Sequence, residues 1–297
     1  MNYNFSIVHH GKERTMNSAE VAKQVTQKVL EELRNNPGKW VKSWETTRPR
    51  NLITGHEYSG FNWMWLNMNT DEKHGMSPYW MTYNQAKQIT GLDKPIKKGA
   101  KSVPIIFYKP MSKVDEEGKE HWWKMVRSYN VFNRDNVEGM SPLPEPQEVE
   151  FRKDNCDTVI KRTGAELKVG YDKACYIPSM DLIQVPKITK FKTPEDYYAT
   201  TFHELTHWTG HKKRLDRDLN NRFGDKAYAF EELVAELGAA MLCNANGVEG
   251  KLQHTEYINS WLEVLEKDTK NIMKASALAQ KAFDFIMGTK PFQEKTA

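Results

Sequence analysis

The chain has 297 residues, with 43 Lys and Arg against 39 Asp and Glu, for a net charge of +4. No run of 18 apolar residues occurs, so no spanning helix is expected and no membrane partner is anticipated; Met1 to Phe5 lack the basic-then-apolar pattern of a secretory signal. Three cysteines, Cys156, Cys175 and Cys243, contain no CxxC pair, which excludes a disulfide framework or a thiolate zinc site and fits a cytoplasmic location.

Two domains of ordinary size suit this length, and charge divides unevenly between them. Residues 34–113 hold 13 Lys and Arg against 5 Asp and Glu, whereas residues 151–297 hold 22 against 21. Seven of the nine tryptophans precede residue 124, so the first half is both basic and aromatic.

In chain order, Val21, Val25, Val29 and Leu33 recur every four residues and predict an amphipathic helix capped near Asn17 and ended by Asn35-Asn36-Pro37-Gly38. Residues 39–70 are rich in aromatics and turn signals, and Trp63 and Trp65 alternate as a strand would place them. Tyr79 to Thr90 reads as a helix stopped by Gly91. Val103–Tyr108 and Trp122–Phe132 read as strands around the acidic turn 115–118. Closely spaced prolines at Pro142, Pro144 and Pro146 favour extended chain. They divide an N-terminal domain (1–140) from a C-terminal one (151–297), with a linker over 141–150. The class is α+β.

Beyond the linker, a helix over about 151–163 and strands at Glu166–Val169 and Ala174–Ile177 are expected. Thr193-Pro194-Glu195-Asp196 then supplies a cap, a first-turn proline and early acids for a helix reaching about Gly210. Further helices are expected near 226–244, 255–268 and 275–287.

The helix that Thr193 opens contains His203-Glu204-Leu205-Thr206-His207, an H-E-x-x-H pattern. Residues four apart on a helix share a face, so both imidazoles can reach one ion, with Glu204 beside them as general base for a water. A catalytic zinc takes three protein ligands and keeps one position open; manganese or another divalent ion is the alternative. His211 is out of register for the third ligand, and Lys213 stands where a metzincin would carry its third histidine. Glu232 and Glu236, four apart on a small-residue face of the next helix, are costly to bury without a cation. Glu232 is therefore the expected third ligand and Glu236 the acceptor that orients a histidine. Glu231 reads as a solvated neighbour. Tyr176, Tyr228 and His254 are candidates to steady an oxyanion, and the 174–177 strand could receive a substrate peptide.

In the first half, Trp40, Trp44, Arg48, Arg50, Tyr58, Trp63, Trp80, Lys97, Lys98 and Lys101 interleave rings with cations. Single-stranded DNA is held in this way, cations tracking phosphates while rings stack on bases. No helix-turn-helix or zinc-finger spacing appears.

The helix around Glu232 resembles the glutamate helix of gluzincins and of IrrE/ImmA-type peptidases, in which the first glutamate binds metal. The chain as a whole resembles ArdC-type antirestriction proteins of conjugative plasmids. Asn36–Trp40, Arg48–Gly55, Tyr58–Asn62, Trp80–Ala86, Lys97–Lys101 and Tyr129–Asn133 carry the likeness in the first half. Ala199–Phe202 leading into the histidine motif, Gly210-His211 and Glu231–Ala240 carry it in the second. The first half also resembles the N-terminal segment of TraC-type plasmid primases. The resemblance implies a single-stranded-DNA-binding domain joined to a gluzincin-type, zincin-like metallopeptidase domain. The implied role is shielding plasmid DNA from restriction during conjugation, with a DNA-associated protein as substrate or by occupancy alone.

Overall fold

The computed structural model describes residues 18–35, 48–70, 74–115, 117–141, 149–219, 226–249, 258–268 and 270–288. Two α+β domains follow one another. The first opens with helix α1 (Ser18–Asn35), on which Val25 and Val29 of the expected stripe are buried together with Leu30. Strand β1 (Arg50–Asn51), helix α2 (Gly60–Met68), strand β2 (Tyr79–Thr82) and helix α3 (Tyr83–Thr90) come next. A long hairpin, β3 (Val103–Val114) and β4 (Glu120–Asn133), completes the domain. The sheet order is β1-β2-β4-β3, with only the β1–β2 pair parallel.

Two expectations fail here for identifiable reasons. Trp63 and Trp65 lie on a helix, not a strand: α2 is buried from Gly60 through Asn67, and a helix covered all round has no polar face to reveal its period. Asn62 ties α2 to the sheet, accepting from the Ile106 N–H at 2.9 Å and donating to the Ile106 carbonyl at 2.7 Å. The segment 79–90 is divided, because Thr82 and Gln85 form a reciprocal capping box that starts α3 only after the β-forming run Tyr79–Thr82 has paired.

The second domain comprises α4 (Lys153–Thr163), β5 (Glu166–Val169), β6 (Cys175–Ile177), β7 (Leu182–Val185), α5 (Pro194–Thr209), α6 (Lys226–Ala245), α7 (Ile258–Lys267) and α8 (Asn271–Met287). Its sheet order is β5-β7-β6, so the unanticipated β7 is central and β6 lies at an edge. The proline-rich stretch 142–148 lies outside the described residues.

Buried side chains of the two domains form one continuous cluster. Helix α8 reaches back to α2: the Gly60 N–H donates to Gln280 Oε1 at 2.8 Å, and Ser276 Oγ meets Met64 Sδ at 3.6 Å. Helix α1 packs on α7. Among the described residues no helix is long and apolar enough to cross a membrane.

Candidate metal centre

Helix α5 starts as its sequence dictates: Thr193 Oγ1 accepts the Asp196 N–H at 3.2 Å, and Pro194 occupies the first turn. Its buried face carries His203 and His207 one turn apart, with Glu204 between them. Helix α6 crosses against it, almost wholly buried, and brings Glu231, Glu232 and Glu236. The approach is close because Gly238 has no side chain. A Cβ there would stand 2.6 Å from Thr206 Cγ2 and 2.9 Å from its Oγ1. Thr206 lies between the two histidines in sequence, so this contact sets the depth at which the glutamates meet them.

Three side chains converge. His203 Nε2 and His207 Nε2 are 3.1 Å apart. Glu232 Oε2 is 3.4 Å from His203 Nε2, and Glu232 Oε1 is 3.4 Å from His207 Nε2. Donors held at roughly 2.0–2.1 Å from one ion, at tetrahedral angles, stand about 3.3 Å from one another. The triangle therefore suits a single divalent ion with its fourth corner open, and two imidazoles with one carboxylate suit its chemistry. Among the described residues these three side chains form the one group able to share an ion.

The other nitrogen of each ring has its own carboxylate. His203 Nδ1 is 3.5 Å from Glu236 Oε2. His207 Nδ1 is 3.1 Å from Glu231 Oε1. Glu231 is thus not a solvated neighbour; it is 7% exposed and locked by the buried Arg217. Arg217 Nε donates to Glu231 Oε2 at 3.0 Å and Nη2 to Oε1 at 2.9 Å. The same guanidinium caps the end of α5 through the Thr206 carbonyl and Thr209 Oγ1. Neighbours of this kind fix the ring tautomer and turn Nε2 toward the shared point.

Burial opposes charge on both histidines, but the carboxylates beside them outweigh it. Glu231 and Glu232 raise the His207 pKa to about 9, and Glu232 and Glu236 carry His203 well above its usual 6.5. Burial works against ionisation of Glu232 too, yet the two histidines hold it far below the carboxylate range. Without metal, the site stores protons that an incoming cation must displace.

Glu204 is buried on the same helix. Its Oε2 accepts the Tyr176 N–H at 2.8 Å, from the outward edge of β6. The Tyr176 hydroxyl is committed elsewhere: it donates to Asp181 Oδ1 at 2.9 Å and accepts from Arg214 Nη2 at 3.3 Å. His211 stands apart from the metal triangle, its Nδ1 accepting the Lys213 N–H at 3.2 Å. His254 lies outside the described residues, and Tyr228 is half-buried in the first turn of α6.

The aromatic and basic residues of the first domain disperse. Trp40 and Trp44 lie outside the described residues. Tyr58, Trp63 and Trp80 are interior, at 4%, 2% and 0% exposure, because α2 is enclosed and β2 lies between β1 and β4. No base can reach their faces, which corrects the expectation that they stack on DNA. Arg48 and Arg50 both pair with Glu57, at 2.9 and 3.2 Å, and Arg48 also covers the Phe283 ring at 4.6 Å. Lys97 Nζ donates to the Asp135 carbonyl at 2.7 Å. Lys98 and Lys101 are exposed. The residue missed outright is Arg217, and only its place after the histidine helix hinted at it.

Residues 19–132 match the model for the N-terminal domain of anti-restriction factor ArdC, and residues 154–278 match that for zincin-like metallopeptidases. Two Escherichia coli proteins, each described as DNA primase TraC, are 33% and 31% identical over 94% and 91% of this chain. The chain spans only 28% and 20% of their lengths. The likeness to these primases therefore runs through both domains, wider than the N-terminal likeness read from sequence. The uncharacterized protein y4eC of Sinorhizobium fredii is 31% identical, with 90% of this chain and 91% of that protein aligned. Crystal structures of the antirestriction ArdC protein from plasmid R388 are also similar. The metal-free form gives TM-score 0.75 at 35% identity over 90% of this chain and 96% of that one. The Mn(II)-bound form gives 0.74 at 34%, over 90% and 97%.

Proposed function

The chain belongs to the ArdC family of antirestriction proteins, and from that membership we propose that it is a metal-dependent peptidase brought to its substrates by single-stranded DNA. The observation that carries this reading is the triangle of His203, His207 and Glu232, with Glu204 buried on the histidine helix. Those three residues are the ligands. Zinc suits an imidazole–imidazole–carboxylate set, and the Mn(II)-bound relative makes manganese the second candidate. When bound there, the ion supplies Lewis acidity that eases ionisation of water near neutral pH.

The chain's own residues do the rest. Glu204 takes a proton from the attacking water and delivers it to the leaving amine nitrogen. The Tyr176 N–H holds one of its carboxylate oxygens and leaves the other to carry that proton. Glu231 and Glu236 keep the two rings aimed. Strand β6, at the sheet edge beside Glu204, receives an extended peptide by strand addition. The DNA-binding domain spans 1–140 and the peptidase domain 151–297. Acting in the cytoplasm, the protein would remove a DNA-associated protein and so spare entering plasmid DNA from restriction.

A second reading, protection by occupancy with a structural ion, draws on the site's position at the α5–α6 contact, where an ion would join the two helices. Glu204→Gln separates the two. If proteolysis protects DNA, the variant keeps its metal and single-strand affinity while antirestriction disappears. Full antirestriction by the metal-loaded variant would establish occupancy instead.

A further inference from the structure

Trp63, Trp65 and Trp80 are enclosed, and among the described residues the hairpin offers a ring that is not. Val103, Ile105 and Phe107 share a face of β3, opposite Val131, Tyr129 and Arg127 of β4. Along this row Val103, Ile105 and Val131 are buried, Tyr129 is half-buried, and Phe107 emerges at 39% exposure beside an exposed Arg127. The Phe107 and Tyr129 rings meet edge to face, with centroids 5.5 Å apart at 77°. Tyr129 thus braces Phe107 from the core side and leaves the Phe107 ring to solvent.

Charge is uneven along the same hairpin. From Lys97 to Phe107 and from Arg127 to Asn133 there is no acidic residue, while Lys97, Lys98, Lys101 and Arg127 are cations. Toward the far turn Asp115, Glu116, Glu117 and Glu120 are matched by Lys109, Lys113, Lys119 and Lys124. A polyanion is therefore drawn to the base of the hairpin, where the cations are not matched by acids. We infer that Phe107, braced by Tyr129 and flanked by Arg127, is the base-stacking platform for single-stranded nucleic acid. Rings accept unpaired bases of any sequence, and the guanidinium neutralises a phosphate. This inference rests on the single-strand-binding reading above.

The test measures anisotropy of a labelled, mixed-sequence oligodeoxynucleotide with the full-length protein over a range of salt. Phe107→Ala is expected to weaken binding about tenfold with its salt dependence unchanged, and Phe107→Trp to preserve it. Arg127→Ala is expected to shallow the salt slope by about 0.7. A wild-type protein that binds while all three variants bind equally well would overturn this surface and leave the broader reading standing. Equal losses in Phe107→Ala and Phe107→Trp would also overturn it, since the ring would then serve only the hairpin. A wild-type protein that binds no single strand at low salt would remove both.

Discussion

Arg217 grips Glu231 with two separate guanidinium nitrogens, at 2.9 and 3.0 Å, behind the ring of His207. Neither residue belongs to the motif that announces the site, yet together they decide which nitrogen of His207 faces the ligand triangle. Glu231→Gln keeps the shape of the side chain but loses the charge that holds the Nδ1 proton. Metal affinity, measured by chelator competition, should fall about 10- to 100-fold. Arg217→Met should do more. It leaves the Glu231 carboxylate buried without its cation, a loss of about 3–5 kcal/mol in chemical denaturation. Wild-type metal affinity in Glu231→Gln would show that His207 needs no such partner.

Gly238 tests the packing that brings the ligands together. Gly238→Ala places a methyl group 2.6 Å from Thr206 Cγ2, so α5 and α6 must separate or Thr206 must turn. Overpacking of this kind costs about 1–3 kcal/mol, and the separation of Glu232 from the histidines grows with it. Adding Thr206→Ala removes both offending atoms and leaves the new methyl 3.3 Å from the remaining Cβ. The double variant is expected to recover metal affinity lost in the single one. No recovery would place the damage somewhere other than this contact.

Protonation sets the conditions for loading. In the metal-free protein His207 titrates at about 9 instead of 6.5, because Glu231 and Glu232 overcome the effect of burial. A raised folded-state value stabilises the fold fully below pH 6.5, and that contribution is lost as pH rises through about 9. The melting temperature of the metal-free protein should therefore decline between those values. Metal binding runs oppositely: the ion displaces protons, so affinity should fall up to tenfold per pH unit, per proton released, as pH drops below about 9. A melting temperature that rises from pH 6.5 to 9 without metal would contradict the carboxylate–histidine arrangement.

Much of this site was legible in the chain itself. Thr193-Pro194 and the His203–His207 spacing name a helix and the face on which the two imidazoles meet, and the cost of burying a carboxylate among small residues points to Glu232 beside them. Glu231 was not legible. Its neighbours in sequence look the same whether the face is wet or dry, and only the fold brings Arg217 from the loop after α5 to meet it. In the first domain the same limit misplaced Trp63 and Trp65. Amphipathic spacing reports a helix only when one face meets water, and α2 has none. Strand β7, Leu182–Val185, is buried on both faces, so no alternation of apolar and polar residues marks it in the sequence.

The last prediction separates the core aromatics from the cations near them. Trp80 has no exposed surface, so Trp80→Ala should cost about 3–5 kcal/mol in denaturation. Any loss of DNA binding in that variant should track the unfolded fraction. Trp63→Phe keeps most of the buried volume and should bind single-stranded DNA like the wild type while melting lower. Lys98 and Lys101 behave in the opposite sense, because both are exposed. Replacing both with alanine should leave the melting temperature in place and shallow the salt slope by about 1.4, the release of two counterions from a single strand. Lys97 falls between the classes: its bond to the Asp135 carbonyl anchors the segment entering β3, so Lys97→Ala should affect both measurements. Stable folding of Trp80→Ala with specific loss of DNA affinity would return that ring to the binding surface.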